Sequence, residues 1–272
     1  MPDTVQSFAR GLAVVRALGA PGTGARLSDI AVHAGVPRAT ARRLLHTLVQ
    51  EGYAWQDGDQ FRPTPRMLEL GATYLTATAV ADLALPVLEQ LAAEVREAAS
   101  VAVLDGSDVV YVARVPARHR IMTVSIGLGT RFPATRTSLG QVLLADADEE
   151  VVAAALAAPD PFEATPTTIR DLPTLQSRLA AVREVGHALV DQELEVGLRS
   201  LAVPVRGRDG TVHAAMNVST AADRRSAEDL RAELLPPLTA AAAALGRAFR
   251  ASRWVTGVGP SPQSVTRSPA SS

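Results

Sequence analysis

Residues 34–64 read AGVPRATARRLLHTLVQEGYAWQDGDQFRPT. The stretch opens on a Gly-Val-Pro turn, enters a helical pattern and leaves through short aromatic strands. Ala41, Leu44, Leu45 and Leu48 recur at helical spacing, which predicts a helix over 37–51 with those four as its buried stripe. Ala39, Arg43, His46 and Gln50 point the other way, flanked by Arg38, Thr40 and Arg42. Gly52 stops the helix, and YAWQDGDQFRPT predicts two short strands around Asp57 and Gly58.

Upstream, SFARGLAVVRAL (7–18) carries Phe8, Leu12, Val15 and Leu18 at helical spacing behind a Ser7 cap. APGTGA breaks the chain. Ser28 is placed to cap a second helix, SDIAVHA, which Gly35 closes before Val36 and Pro37 begin the next. Three short helices and a hairpin make a winged helix-turn-helix, whose third helix enters the major groove of DNA. The competing reading is a helical protein-docking module, but the exposed face of 37–51 offers Arg and Thr instead of apolar anchors. Arg forks match guanine edges and phosphates, so Arg38, Thr40, Arg42 and Arg43 are the candidate DNA contacts, with Arg62 after the wing as a phosphate contact. Arg43 has an alternative role, pairing with an acid of its own domain.

Composition sets the bounds around this motif. The chain has 272 residues, 47% hydrophobic and 20% charged, with a net charge of −1. A packed core is expected and global disorder is not. All 27 cationic residues are Arg, and residues 1–76 hold eight of them against six acids, a local balance of +2. No cysteine is present, which excludes disulfides, thiolate nucleophiles and cysteine-bound zinc. No signal-peptide pattern and no apolar run of membrane-spanning length occur, so the expectation is a cytoplasmic protein without a membrane partner.

Beyond Pro65, RMLELGATYL predicts a helix, and from about residue 80 helices and strands alternate. LALPVLEQLAAEVREA reads as a helix and SVAVLDGSDVVYVARV as two strands around Asp105 and Gly106. RIMTVSIGLG (120–129) is expected to be a further strand. TSLGQVLLA, DEEVVAAALAA and LPTLQSRLAAVREVG read as helices, and SLAVPVRGRDGTVHAAMNVST as a hairpin with Asp209 and Gly210 at its tip. The last helix holds Pro236 and Pro237, which must kink or break it. Strands bracketed by helices give an α+β domain. The Ser/Pro/Gly-rich end is expected to be disordered.

SFARGLAVVRAL, GVPRATARRLLHTLVQEGY, GTRFPATRTSLGQVLLA and DQELEVGLRSLAVPV together resemble the IclR family of bacterial transcriptional regulators, over roughly residues 6–250. ARVPARHRIMTVSIGLGTRFPATRTSLGQVLLA is more narrowly similar to the branch that controls protocatechuate and 4-hydroxybenzoate catabolism, the β-ketoadipate pathway regulators. That branch has a YATSMGR-like stretch where this chain has TRTSLGQ, beside the expected ligand pocket. The resemblance implies a winged helix-turn-helix over 1–64, a linker helix over 65–79, a GAF-like effector domain over 80–250 and a tail over 251–272. It implies a homodimer or homotetramer on a palindromic double-stranded operator, and RNA polymerase as a partner if the protein activates. A small carboxylate effector follows too, an aromatic acid or, in the alternative, a non-aromatic effector of a repressor of another catabolic operon.

Carried over residue by residue, the resemblance places the effector against Ile121 and Val124 on one strand and Ser138, Leu139 and Gly140 at a helix start. Asp191, Leu198, Ser200, Asn217 and Ser219 complete that pocket. A helix N-terminus suits a carboxylate, Ile121, Val124 and Leu198 would wall an aromatic ring, and Asp191 would accept from a phenolic hydroxyl. Arg136 or Arg120 would balance the ligand's charge. No cofactor and no metal are implied. An enzyme, for example a hydrolase, is the reading from another class; it lacks a G-x-S-x-G elbow, and the five His (33, 46, 119, 187, 213) show no metal spacing.

Overall fold

The computed structural model describes residues 4–19, 25–117, 126–207 and 210–252, with the side chains of 75–78 left out of account. Two compact units divide the chain, Met1–Thr76 and Ala77–Ser272.

The first unit begins with α1 (Gln6–Leu18) and a two-residue strand β1 (Ala25–Arg26). Helices α2 (Leu27–His33) and α3 (Arg38–Gln50) follow. The turn between them closes as the spacing predicts. Gly35 adopts φ +62° and donates to the Val32 carbonyl, while the Val36 N–H reaches back to Ala31. That pair of bonds satisfies two of the carbonyls left bare at a helix end, in a left-handed conformation that glycine adopts without a Cβ clash. Strands β2 (Ala54–Asp57) and β3 (Gln60–Pro63) form the wing, and β1 pairs with β3 to complete a three-stranded sheet. A short 3-10 turn (Pro65–Met67) leads into α4 (Leu68–Thr78).

Three expectations for this unit fail. The N-cap of α1 is Val5, without a side-chain cap, so Ser7 lies within the helix. Its core face is Val14, Ala17 and Leu18, while Phe8 is 68% and Leu12 42% exposed. Ile30, Leu45 and Phe61 meet the former set, so the helix is rotated away from the Phe8–Leu12 stripe. Helix α2 is capped at Arg26, leaving Ser28 to donate to the Asp29 carboxylate at 3.1 Å.

The second unit is a six-stranded antiparallel sheet, ordered β6-β5-β4-β9-β8-β7, between two helical layers. Helix α5 (Val80–Val95) precedes β4 (Ala98–Asp105) and β5 (Asp108–Val115). The helix ends at Arg96 in a left-handed turn (φ 58°), short of the Ala98 that periodicity would include. Strand β6 (Arg131–Pro133) is followed by α6 (Ser138–Ala145), α7 (Glu149–Ala157) and α8 (Leu172–Val185). The strand expected over 120–129 falls largely outside the described residues, and its described end, 126–129, is not a strand. Then come β7 (Ala188–Asp191), β8 (Leu198–Arg206) and β9 (Val212–Ala221). A one-turn helix α9 (Ala227–Asp229), capped by Ser226, continues through a π turn (Leu230–Leu234) into α10 (Leu235–Ala251). The π turn lies immediately before Pro236 and Pro237, which have no N–H to donate to the preceding turn.

Helices α5 and α10 cover one face of the sheet and α6 the other, with α8 packed outside α6. The α5/α10 side is a core of Val101, Val103, Leu201, Val203, Met216 and Val218. Helix α6 lies very close to the segment before it. A Cβ built on Gly140 would collide with the backbone of Ala134. Gly140→Ala therefore forces backbone atoms apart at a cost of about 1–3 kcal/mol. Thermal unfolding should show the midpoint falling by at least several degrees; an unchanged midpoint would mean that α6 is free to shift.

Candidate nucleic-acid and effector sites

The face of α3 opposite its core carries Arg38, Arg42 and Arg43, all exposed, with Thr40 half-buried beside them. Among the described residues, no carboxylate pairs with these three guanidiniums; Arg42 only approaches His46, Nε to Nε2 at 3.5 Å. Among the described residues, Arg43 pairs with no acid of its own domain. At the end of the helix, the Glu51 backbone carbonyl accepts from Arg66 Nη1 at 2.8 Å. Arg66 also stacks on Tyr53 at 5.1 Å and pairs with Glu69 at 3.4 Å. On the wing, Arg62 lies over the Trp55 ring, 5.8 Å from its centroid, an arrangement that holds the cation in place while leaving it in solvent.

A groove of about 430 Å³ runs between α1 and α3, lined by Ser7, Arg10, Thr40, Arg43, His46 and Gln50. Sequence reasoning passes over Arg10 because it faces this groove only once α1 has rotated to bury Val14 and Ala17. The signal lies in the i, i+3 spacing of Ser7 and Arg10 on the polar side of α1.

In the second unit, Thr137 caps α6, its hydroxyl accepting from the Gly140 N–H at 2.9 Å. Ser138 and Leu139 are fully buried. Strand registers place Ser200 opposite Ser219, and Asn217 one step along β9. These three side chains share the α6 side of the sheet with Leu198, which packs in the α6 core. Asn217 Nδ2 donates to Ser219 Oγ at 3.1 Å. So Ser138, Leu139, Leu198, Ser200, Asn217 and Ser219 all belong to the layer between the sheet and α6. Gly140 is turned toward Ala134, and its absent side chain serves packing there. Ile121, Val124 and Arg120 lie outside the described residues.

Two of the expected site residues belong elsewhere. Asp191 pairs across the strands with Arg199, one residue out of phase with Ser200, and so projects from the opposite face. Its carboxylate accepts from Arg199 Nη2 at 2.9 Å, which holds it below the usual carboxylate range. Arg136 is not available to a ligand either. It is 1% exposed, and its guanidinium spends all its donors on protein oxygens. Nε donates to Glu193 O at 3.1 Å, Nη1 to Asp160 Oδ2 at 2.8 Å and Phe162 O at 3.0 Å, and Nη2 to Glu163 O at 2.7 Å and Leu194 O at 3.2 Å. Beside this clasp, Glu193 is buried, which pushes its carboxyl above the usual range, and it accepts from Gln141 of α6 at 2.8 Å and Arg178 at 3.0 Å.

Comparisons with known proteins give the family of the chain. The sequence pattern of the family described as Bacterial transcriptional regulator IclR C-terminal matches residues 72–247, and that of the IclR helix-turn-helix domain matches residues 7–58. The chain is 40% identical over 240 residues to the Pca regulon regulatory protein of Pseudomonas putida, covering 88% of this chain and 82% of that protein. It is 34% identical over 240 residues to the p-hydroxybenzoate hydroxylase transcriptional activator of Acinetobacter baylyi, covering 87% and 89%. A crystal structure of an IclR homolog complexed with 4-hydroxybenzoate, from Microbacterium hydrocarbonoxydans, matches with a TM-score of 0.77 at 26% identity, over 90% of this chain and all of that one, 100%.

The fold and the bare cationic helix are those of a DNA-binding regulator, and the chain belongs to the IclR family of bacterial transcriptional regulators. Within that family it stands in the branch of the Pca and p-hydroxybenzoate regulators. The hydrolase alternative is set aside, because the relatives are named as regulators of transcription.

The Arg136 clasp yields a prediction about stability. Arg136→Met leaves the carbonyls of the buried Glu193 and Leu194 without their donor, and each unsatisfied buried acceptor costs about 1–3 kcal/mol. Denaturant unfolding followed by circular dichroism should show that loss. A variant as stable as the parent would show that the loops at 160–168 and 193–194 hold α6 without it.

Proposed function

We propose that the protein reads a palindromic operator as a homodimer or homotetramer and responds to a small aromatic carboxylate to control an aromatic catabolic operon. The observation that carries the DNA half is the bare arginine trio at the start of α3. Three exposed cations with no described carboxylate beside them form a positive patch, which phosphates and guanine edges match. In this reading Arg38, Arg42 and Arg43 contact bases and backbone, Thr40 and Arg62 hold phosphates, and Arg10 adds a contact from α1.

Self-association has a surface to support it. Val5, Phe8 and Leu12 form an exposed apolar stripe on α1, at 68%, 68% and 42% exposure. A second copy of the chain is the partner we assign to it, since a palindrome needs two reading helices. RNA polymerase becomes a partner if the response is activation. No described helix is long and apolar enough to cross a membrane, and we place the protein in the cytoplasm, where its operator is.

For the effector, relatives of the same branch are named for the Pca regulon and for p-hydroxybenzoate hydroxylase. The layer between the sheet and α6 offers Ser138, Ser200, Asn217 and Ser219 beside Leu198. Binding there is coupled to the operator through residues 65–79, which act as the linker between residues 1–64 and the effector domain over 80–250. The ligand shifts the population of arrangements of the two reading heads.

Two measurements test the reading. Duplexes selected from a random pool should converge on an inverted repeat. Arg42→Ala with Arg43→Ala should weaken binding to the selected duplex by at least about 30-fold, taking ~1–3 kcal/mol for each lost base contact, and should flatten the salt dependence. Unchanged affinity would remove α3 from the interface. Thermal unfolding against aromatic and aliphatic carboxylates should show a raised midpoint with an aromatic acid; a shift with aliphatic acids alone would move the assignment to another catabolic operon.

A further inference from the structure

The α6 side of the sheet is paved unlike its other side. One cross-strand row runs Arg114, Ser100, Asn217, Ala202 across β5, β4, β9 and β8. The next holds Ala98, Ser219, Ser200 and Val190. Ala102 and Ala215 stand opposite each other beyond the first row. The other face of these strands carries Val101, Val103, Leu201, Val203, Met216 and Val218, with Ala99, Ala113 and Ala214 among them. These two rows face the space between the sheet and α6, which Tyr111, Leu198 and Leu139 also border.

The polar groups around that space are incompletely used. Arg114 Nη1 donates to Ser100 Oγ at 2.9 Å. Among the described residues no carboxylate faces Arg114. Burial depresses its pKa, and burial pushes the phenol of the neighbouring Tyr111 up to about 12 although the Arg114 charge acts to lower it. Asn217 is 3% exposed and its Oδ1 has no partner. Ser138 is fully buried and its Oγ has none either. A half-buried cation with one neutral acceptor, beside two orphaned buried oxygens, is costly to keep in an empty site.

We infer that Arg114 is the counter-ion for the carboxylate of an aromatic monocarboxylate seated on this face. Ser100 orients the guanidinium, which presents its remaining donors as a fork to the two carboxylate oxygens. The Asn217 Oδ1 accepts from a ring hydroxyl. This rests on the effector reading above and adds Arg114 and Ser100 to it. It also moves the acid group from the start of α6 to β5, and gives Arg114 the charge-balancing role that Arg136 cannot fill.

The test is calorimetric binding of 4-hydroxybenzoate and of its neutral analogue 4-hydroxybenzamide to the full chain and to R114M, R114K and S100A. The parent should prefer the acid. R114M should weaken the acid about 10- to 100-fold, the worth of a charge-assisted pair, while leaving the amide little changed, so the acid-over-amide preference collapses. R114K, which keeps the charge without the fork, should keep the preference at lower affinity, and S100A should fall between. Equal weakening of acid and amide in R114M would make Arg114 a structural residue and overturn the inference. So would a variant that binds the acid as the parent does; the effector reading would survive that result. If R114M does not fold, loss of the preference in R114K overturns the inference. A parent that binds no aromatic carboxylate overturns both.

Discussion

One buried cation sets the geometry of the effector domain. Arg136 sits just before α6, fully inside the protein, and its planar fork is satisfied by oxygens from two loops far along the chain. A guanidinium cannot be neutralised to escape burial, so the loops at 160–168 and 193–194 must come to it. Once they do, α6 has one place to lie. Gln141 reaches the buried Glu193 from the same helix, and Gly140 lets the helix close on Ala134. The segments TRTSLGQ and DQELEVG are joined by these contacts and make a single structural unit.

The position of α6 then decides what the sheet's two faces do. Against α5 and α10 the strands present Val, Leu and Met, and the layer is packed and dry. Against α6 they present Val109, Tyr111 and Leu198 together with alanines, serines, Asn217 and Arg114. The small and polar residues contribute less to burial energy, and the orphaned oxygens of Ser138 and Asn217 add a cost of their own.

The reading head follows a different economy. Its core is small, Val14, Leu18, Ile30, Leu45 and Phe61 among its members, and it carries three unpaired arginines on the outer face of α3. Two acids of the unit are engaged away from that face: Asp59 with Arg26 and Glu69 with Arg66. Such separation of charge leaves a positive helix for an anionic partner without making the whole chain basic.

Local pattern alone was enough for the helix-turn-helix. The 3.6-residue period of 37–51, the Gly35 turn and the wing around Gly58 are properties of neighbouring residues, and the order of α6, α7, α8 and the β8–β9 hairpin was legible for the same reason. The strand β1, the rotation of α1 and the end of α5 at Arg96 were not, since each is decided by what packs against it. The site divides in the same way. Ser200, Asn217 and Ser219 could be placed together because a strand alternates with period two. Asp191 fell on the wrong face because its phase depends on the register of β7 with β8, and Arg136 looked like a ligand residue because its acceptors lie 24 to 58 positions away in sequence. Residue order fixes periodicity, turns and charge; which long-range partner claims a given arginine is settled only when the chain has closed on itself.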